Sequence, residues 1–285
     1  MLKIQDGCTN FCSYCIIPYT RGRVRSLPPE RCAAQSEALA AQGFRELVIT
    51  GIEIASYGRD LTPKQSLADA IEAIAEKAGE MRIRLGSLEP TVVTEDFCAR
   101  LKKTGKLCDH FHLSLQSGCD ETLRMMNRKY DTAKFFESVQ LLRRYFPDCG
   151  LTADLIVGFP GETEEQHRET LEFIRKCGFS SMHIFPYSKR PGTKAAEMGG
   201  QLSNAVKAKR AAQAQDAASE MENAFLKSCI GKNLQVLFET EHEGMSVGHA
   251  ANYAQVCVNN GHLHNLVENV KITGILDKML VGKLV

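Results

Sequence analysis

From Leu2 to Pro186, six short runs rich in apolar and β-branched residues alternate with longer stretches in which apolar residues recur at three- and four-residue steps. This alternation confines the chain to β/α units around a parallel sheet, because parallel neighbours need a connection long enough to hold a helix. The runs are Leu2 to Gln5, Glu46 to Thr50, Arg82 to Leu85, His110 to Leu115, Leu151 to Val157 and Met182 to Phe185. Between them, stripes such as Leu67, Ala70, Ile71 and Ile74, or Phe135, Val139, Leu142 and Phe146, read as core-facing helix sides. Six units fall short of the eight of a closed barrel. The α/β fold predicted is therefore an open, partial (β/α)6 barrel whose working loops follow the carboxyl ends of its strands.

The pattern changes after this region. The alanine-rich, polar stretch from Ser203 to Leu226 reads as a connecting helix, with Ser203 as N-cap and Lys207, Lys209 and Arg210 on its surface. Beyond Gly231, short alternating runs at Leu234 to Glu239, Tyr253 to Val258, Val270 to Gly274 and Leu280 to Val285 predict a small all-β barrel of about sixty residues. The organisation expected is a core domain over 1–202, a helix over 203–226 and a barrel over 227–285.

The chain has 285 residues, is 44% hydrophobic and carries a net charge of +1, so no global basicity announces a nucleic-acid partner. A local patch exists at Arg21, Arg23, Arg25 and Arg31, with Glu30 the only acid among them; it reads equally as an RNA-facing strip or a solvated surface. The eleven cysteines are odd in number, and from Met1-Leu2-Lys3 no secretory leader is expected. A reducing cytoplasm is expected rather than a disulfide scaffold. No apolar run is long enough to span a bilayer, and none of these features bears on oligomeric state.

Cys8, Cys12 and Cys15 fall in the loop after the first strand with C-x3-C-x2-C spacing, while the other eight cysteines are scattered singly. Three thiolates suit a cubane iron–sulfur cluster with one iron left open to a ligand. Structural zinc prefers four donors, commonly as two separated pairs, so a zinc site would need a remote fourth ligand. An open iron can chelate the amino and carboxylate groups of S-adenosylmethionine (SAM) beside a low-potential electron donor.

Further candidates sit in the other strand-end loops. Glu53, after Gly51, is suited to receive an ammonium group or to pair with an arginine. Gly158, Pro160 and Gly161 form a turn that lets backbone approach a flat ring. Arg128 can hold a carboxylate bidentately or form a surface ion pair. Ser114 and Gln116 can bond a ribose or satisfy nearby backbone. His112, His183 and His249 have no partner at ligand spacing and are read as structural.

The segment Gly7 to Arg23 resembles the radical SAM methylthiotransferases. The likeness continues through Thr50 to Glu53, Tyr57-Gly58, Ser87 to Pro90, Leu115 to Asp120, Ala153 to Thr163 and Phe185 to Thr193. Within that family, Ser87 to Pro90 and Phe185 to Thr193 are most similar to the branch acting at C2 of tRNA N6-threonylcarbamoyladenosine. The resemblance implies a 4Fe-4S cluster on Cys8, Cys12 and Cys15. It further implies SAM contacts from Tyr14, Gly51, Glu53, Ser114, Gln116, Arg128, Gly158, Pro160, Gly161 and Phe185, a reducing protein as electron donor, and tRNA as partner.

The final barrel resembles a TRAM domain, an OB-like RNA-binding module. By that likeness Asn252, Tyr253 and the region from Lys271 to Lys283 face RNA, alongside Arg21, Arg23 and Arg25. Members of the family also carry an amino-terminal domain with three cysteines for an auxiliary cluster. Met1 stands seven residues before Cys8, so those ligands are not expected here, and the chain is expected to cleave SAM with little or no sulfur insertion. The alternatives are a sister enzyme acting on isopentenyladenosine or a ribosomal protein, and a non-enzymatic, zinc-containing RNA-binding module.

Overall fold

The computed structural model describes residues 1–285. Its first part runs β1 (Leu2–Asp6), α1 (Ile17–Arg21), β2 (Arg25–Ser26), α2 (Pro29–Ala41), β3 (Glu46–Gly51), α3 (Leu67–Lys77), β4 (Arg82–Leu85) and α4 (Glu95–Thr104). It continues through β5 (His110–Gln116), α5 (Asp120–Met125), α6 (Thr132–Tyr145), β6 (Gly150–Val157), α7 (Glu164–Cys177), β7 (Ser181–Pro186) and α8 (Lys194–Glu197).

The six strands expected from the sequence are all present. β1, β3 and β4 pair in parallel, as do β5, β6 and β7. Between β4 and β5 the ladder thins to single bridges, Ile83 to Leu107 and Leu88 to Leu113, so one arc of six strands contains a seam. The unexpected β2 pairs antiparallel on the outer edge of β1, through Gln5–Ser26 and Asp6–Arg25. Two residues are too few to leave an alternating pattern.

Local chemistry sets the helix ends. Ser66 with Asp69 and Thr163 with Gln166 form reciprocal capping boxes at the starts of α3 and α7, satisfying amides that no helical carbonyl can reach. Leu67, Ala70, Ile71 and Ile74 are buried as their spacing predicts, within a core of 45 buried residues that also takes the helix-facing sides of the strands.

α9 (Asn204–Cys229) starts at the Ser203 cap and is more than a connector. It lies along β7 and buries Ala214, Ala217, Ala218 and Met221 in the large core. Arg210, expected on its surface, is buried. Its guanidinium meets Glu162 Oε2 at 2.6 Å, and Glu162 in turn accepts from the Gly158 N–H at 2.7 Å. A buried carboxylate facing the helix supplies the partner that the sequence pattern does not reveal.

The last five strands, β8 (Asn233–His242), β9 (Met245–Ala250), β10 (Gln255–Val258), β11 (Val267–Leu276) and β12 (Met279–Leu284), close into a barrel in the order β10-β12-β11-β8-β9. The sequence pattern marks four of them. It misses β9 because Ser246, Gly248 and His249 break the apolar alternation. A second core of 13 buried residues fills this barrel and includes Leu226 and Cys229 from the end of α9.

The barrel docks on the amino ends of the parallel strands. Arg82 donates to the carbonyls of Gln235 and His249 at 3.2 and 2.8 Å, and Arg84 to those of Ala251 and Ala250 at 3.1 and 3.2 Å. Glu46 holds both guanidiniums, at 2.6 Å from Arg82 Nε and 2.8 Å from Arg84 Nε.

Candidate active site

The cysteine loop leaves the carboxyl end of β1 and is pinned at both ends. Cys8 N–H donates to the Gly22 carbonyl at 3.0 Å, and Ser13 N–H and Oγ donate to the Met126 and Met125 carbonyls at 3.0 and 2.8 Å. Gly7, at φ 78°, has the Arg23 carbonyl oxygen 1.9 Å from where a Cβ would stand, so only glycine lets the loop turn there.

All three thiols are partly exposed, and their sulfurs are spread too widely to fall within 4.8 Å of one another as the donors of a single ion do; only His112, Asp154 and His183 meet that spacing. The wider spread fits donors to separate irons better than one zinc. Burial pushes the Cys8 thiol up to about 11, against the Asn10 N–H, and the Glu53 carboxylate adds to the rise. Deprotonation therefore accompanies metal loading.

A buried polar group backs this loop. The Arg128 guanidinium lies 3.1 Å from Cys12 Sγ, 3.3 Å from Glu89 Oε1 and 3.0 Å from the Tyr130 hydroxyl. It does hold a carboxylate, but the chain's own. Glu53 pairs with no arginine; its carboxylate accepts from Asn10 Nδ2 and from the Ala55 N–H, each at 3.1 Å. Burial and the neighbouring Glu89 raise its pKa above the ordinary carboxylate value.

Beside Cys15 lies a cavity of about 410 Å³ lined by Tyr14, Ile16, Gln116, Asp154, Ile156 and Phe185, among others. Tyr14, Gln116 and Phe185, three of the expected contacts, therefore converge on the cysteine loop. Ser114 shares the inward face of β5 with His112 by strand alternation. The remaining expected contacts do not line this cavity. Gly51 is packed against Gln5, with both Gln5 oxygens 2.8 Å from the point a Cβ would occupy. Gly158 sits under Lys207 of α9, and the Gly161 N–H donates to the Gly200 carbonyl at 2.9 Å. Pro160 belongs to the same turn.

The three histidines read as structural divide. His112 and His183 meet Asp154 on the inward faces of β5, β7 and β6, with His112 Nε2 at 3.3 Å from Asp154 Oδ2. Strand register could have found them, since Thr152 pairs with His112 and Asp154 with His183. They line a second cavity, about 810 Å³, which reaches down to the barrel loop; Asp154 belongs to both cavities.

The expected RNA-facing residues fare differently. Arg21, Arg23 and Arg25 are exposed, next to an exposed aromatic pair not singled out from sequence, Phe11 and Tyr19, with ring centroids 5.7 Å apart. Asn252 is buried, its side-chain oxygen accepting from the Ala254 N–H at 3.2 Å, so its side chain does not face solvent. Tyr253 keeps 48% exposure, but its ring already stacks on His110 and His249 at 4.5 and 5.0 Å, with the Arg84 guanidinium 4.8 Å away. Both residues belong to the loop that docks the barrel.

Residues 2–174 match the Radical SAM superfamily, and the chain belongs to that superfamily. Its relatives are tRNA-modifying transferases. It is 39% identical over 263 residues to the threonylcarbamoyladenosine tRNA methylthiotransferase MtaB of Bacillus subtilis, covering 90% of this chain and 58% of that protein. It is 36% identical to the protein of the same name from Chlamydia pneumoniae, covering 100% and 67%. A tRNA-2-methylthio-N(6)-dimethylallyladenosine synthase of Clostridium botulinum is also 39% identical, over 84% of this chain and 53% of its own length. The chain thus spans between half and two thirds of the curated relatives it matches. Among solved structures, coproporphyrinogen III oxidase from Escherichia coli shares the fold with a TM-score of 0.57 at 14% identity, over 89% of this chain and 65% of that one. The superfamily implies a 4Fe-4S cluster and SAM.

Proposed function

We propose that the chain generates a radical from SAM at a 4Fe-4S cluster held by Cys8, Cys12 and Cys15, and directs it to C2 of N6-threonylcarbamoyladenosine beside a tRNA anticodon. The observation that carries this reading is the three-cysteine loop opening onto the 410 Å³ cavity at the carboxyl ends of the strands. When bound, the cluster supplies an open iron and the electron for cleavage. The chain's own residues orient and shield. Tyr14, Gln116 and Phe185 wall the cavity and exclude water, Glu53 is available to an ammonium, and Ser114 to a ribose. Arg128 keeps the Cys12 sulfur in a cationic environment. Gly51, Gly158, Pro160 and Gly161 shape the loops rather than touch ligand.

Exposed Phe11 and Tyr19 beside Arg21, Arg23 and Arg25 suit an RNA strand, combining base stacking with phosphate contacts. The small barrel, read as TRAM-like, offers RNA a separate surface at the other end of the arc. The setting proposed is the cytoplasm, with a reducing protein as electron donor; no helix is long and apolar enough to cross a membrane. The eight other cysteines are each buried and form no second clustered trio, so sulfur insertion would draw on ligands that these 285 residues do not supply.

Anaerobic reconstitution tests the reading. About four irons per chain, brown colour and 5'-deoxyadenosine on adding SAM and a reductant are expected, all lost in Cys12→Ala. One zinc and a colourless solution would overturn it. The equal identity of the Clostridium botulinum relative supports a second substrate, the dimethylallyl nucleoside. Supplying tRNA with each modified base, together with a sulfur-donor domain, decides between them by which methylthio nucleoside forms.

A further inference from the structure

Three adjacent parallel strands each place one metal-binding side chain on the inward face of the arc: His112 on β5, Asp154 on β6 and His183 on β7. One donor atom from each lies within 4.8 Å of the other two, and His112 Nε2 and Asp154 Oδ2 are 3.3 Å apart. Donors about 2.1 Å from one ion stand roughly 3 to 3.5 Å apart, so this pair needs no rearrangement and His183 only a modest one.

The surroundings fit as well. His112 Nδ1 lies 2.9 Å from Thr152 Oγ1, a bond that fixes the ring and leaves Nε2 turned to Asp154. A hydrogen-bonding partner on the far nitrogen is what a metal-bound histidine requires. Thr152 is itself held, 3.0 Å from His110 Nε2. The trio faces the 810 Å³ cavity, and Asp154 lines the SAM-side cavity too, so an ion here would stand between the two spaces.

We propose that His112, Asp154 and His183 bind one divalent transition-metal ion whose open positions take oxygen atoms of the substrate's threonylcarbamoyl group. Two imidazoles and one carboxylate leave part of a six-coordinate shell free, and this donor set suits ions of the manganese, iron and zinc range. The threonylcarbamoyl group offers a carboxylate, a hydroxyl and a ureido carbonyl, all oxygen donors able to chelate. A dimethylallyl group offers none. The ligand half of this inference rests on the proposed substrate; the metal half does not. No electron transfer is involved, and the ion acts as a template and Lewis acid.

Manganese(II) is the probe, because its six-line EPR signal in water collapses on binding and it has little affinity for thiolates. The experiment titrates it into the reconstituted protein with the cluster in its EPR-silent oxidised state. One ion per chain is expected, retained when Cys8, Cys12 and Cys15 are all replaced by alanine. His183→Ala and Asp154→Asn are each expected to weaken binding at least about tenfold, and Thr152→Val, which keeps the side chain's shape, by about tenfold. Circular dichroism checks that each variant folds. Absence of binding, or equal binding in His183→Ala, overturns the metal site while leaving SAM cleavage untouched. Free N6-threonylcarbamoyladenosine is then expected to lower the water-proton relaxation enhancement of the bound ion, with adenosine inert; equal effects of the two overturn the ligand assignment.

Discussion

Glu89 and Arg128 are each 7% exposed at the side chain and meet at 3.3 Å, so neither charge has water to fall back on. Removing one strands the other. Arg128→Gln is expected to cost about 3 to 5 kcal/mol, because an uncompensated buried carboxylate remains, whereas Arg128→Met combined with Glu89→Gln recovers most of the loss. Urea denaturation of the metal-free protein reads both. At this scale the sequence is only partly legible. Motif spacing picks out Cys8, Cys12 and Cys15, and residue type suggests that Arg128 grips a carboxylate. It cannot show that the carboxylate is Glu89, because their meeting depends on how β4 and β5 come together at the seam. Tyr253 misleads for a related reason: an aromatic residue in a polar loop looks free until the arc of strands beneath it supplies His110 and Arg84.

The strands and helices carry signals that depend on neighbours in sequence, and most are therefore readable. β9 and β2 escape, one because its alternation is broken and the other because it is short. The docking of the barrel lies beyond any local pattern, since the acceptors used by Arg82 and Arg84 are backbone carbonyls, which leave no mark on residue type.

Glu46 makes that docking pH-dependent. Burial alone would raise its carboxyl, but the hydrogen bonds and charge of Arg84, with those of Arg82, outweigh it and hold the pKa below the ordinary 4.5. A carboxylate depressed in the folded state stabilises fully above its unfolded pKa and loses that contribution as pH falls through the folded value. Acidification below about pH 4.5 is thus expected to loosen the barrel, and Glu46→Gln to remove that part of the acid sensitivity while weakening docking at neutral pH; limited proteolysis across a pH series reads both. Gly150, at the start of β6, has the Asn252 carbonyl oxygen 2.1 Å from where a Cβ would stand. Gly150→Ala is expected to push that loop away at a cost of about 1 to 3 kcal/mol, seen as faster amide exchange over 250–254.

At the scale of the whole molecule, the open arc, the cysteine loop at its carboxyl ends and the barrel at its amino ends define an axis along which the two cavities succeed one another. The arc and its polarity follow from strand counting; the position of the barrel does not, because a connecting helix read from composition has no direction. α9 is where that direction is set. Its 26 residues extend about 39 Å, and its successive turns enter first the larger apolar core and then the smaller one. A rod shared in this way ties the melting of one part to the other. Calorimetry of the intact chain is expected to give a single endotherm, and Asn223→Pro, which interrupts the rod between Met221 of the first core and Leu226 of the second, to split it into two.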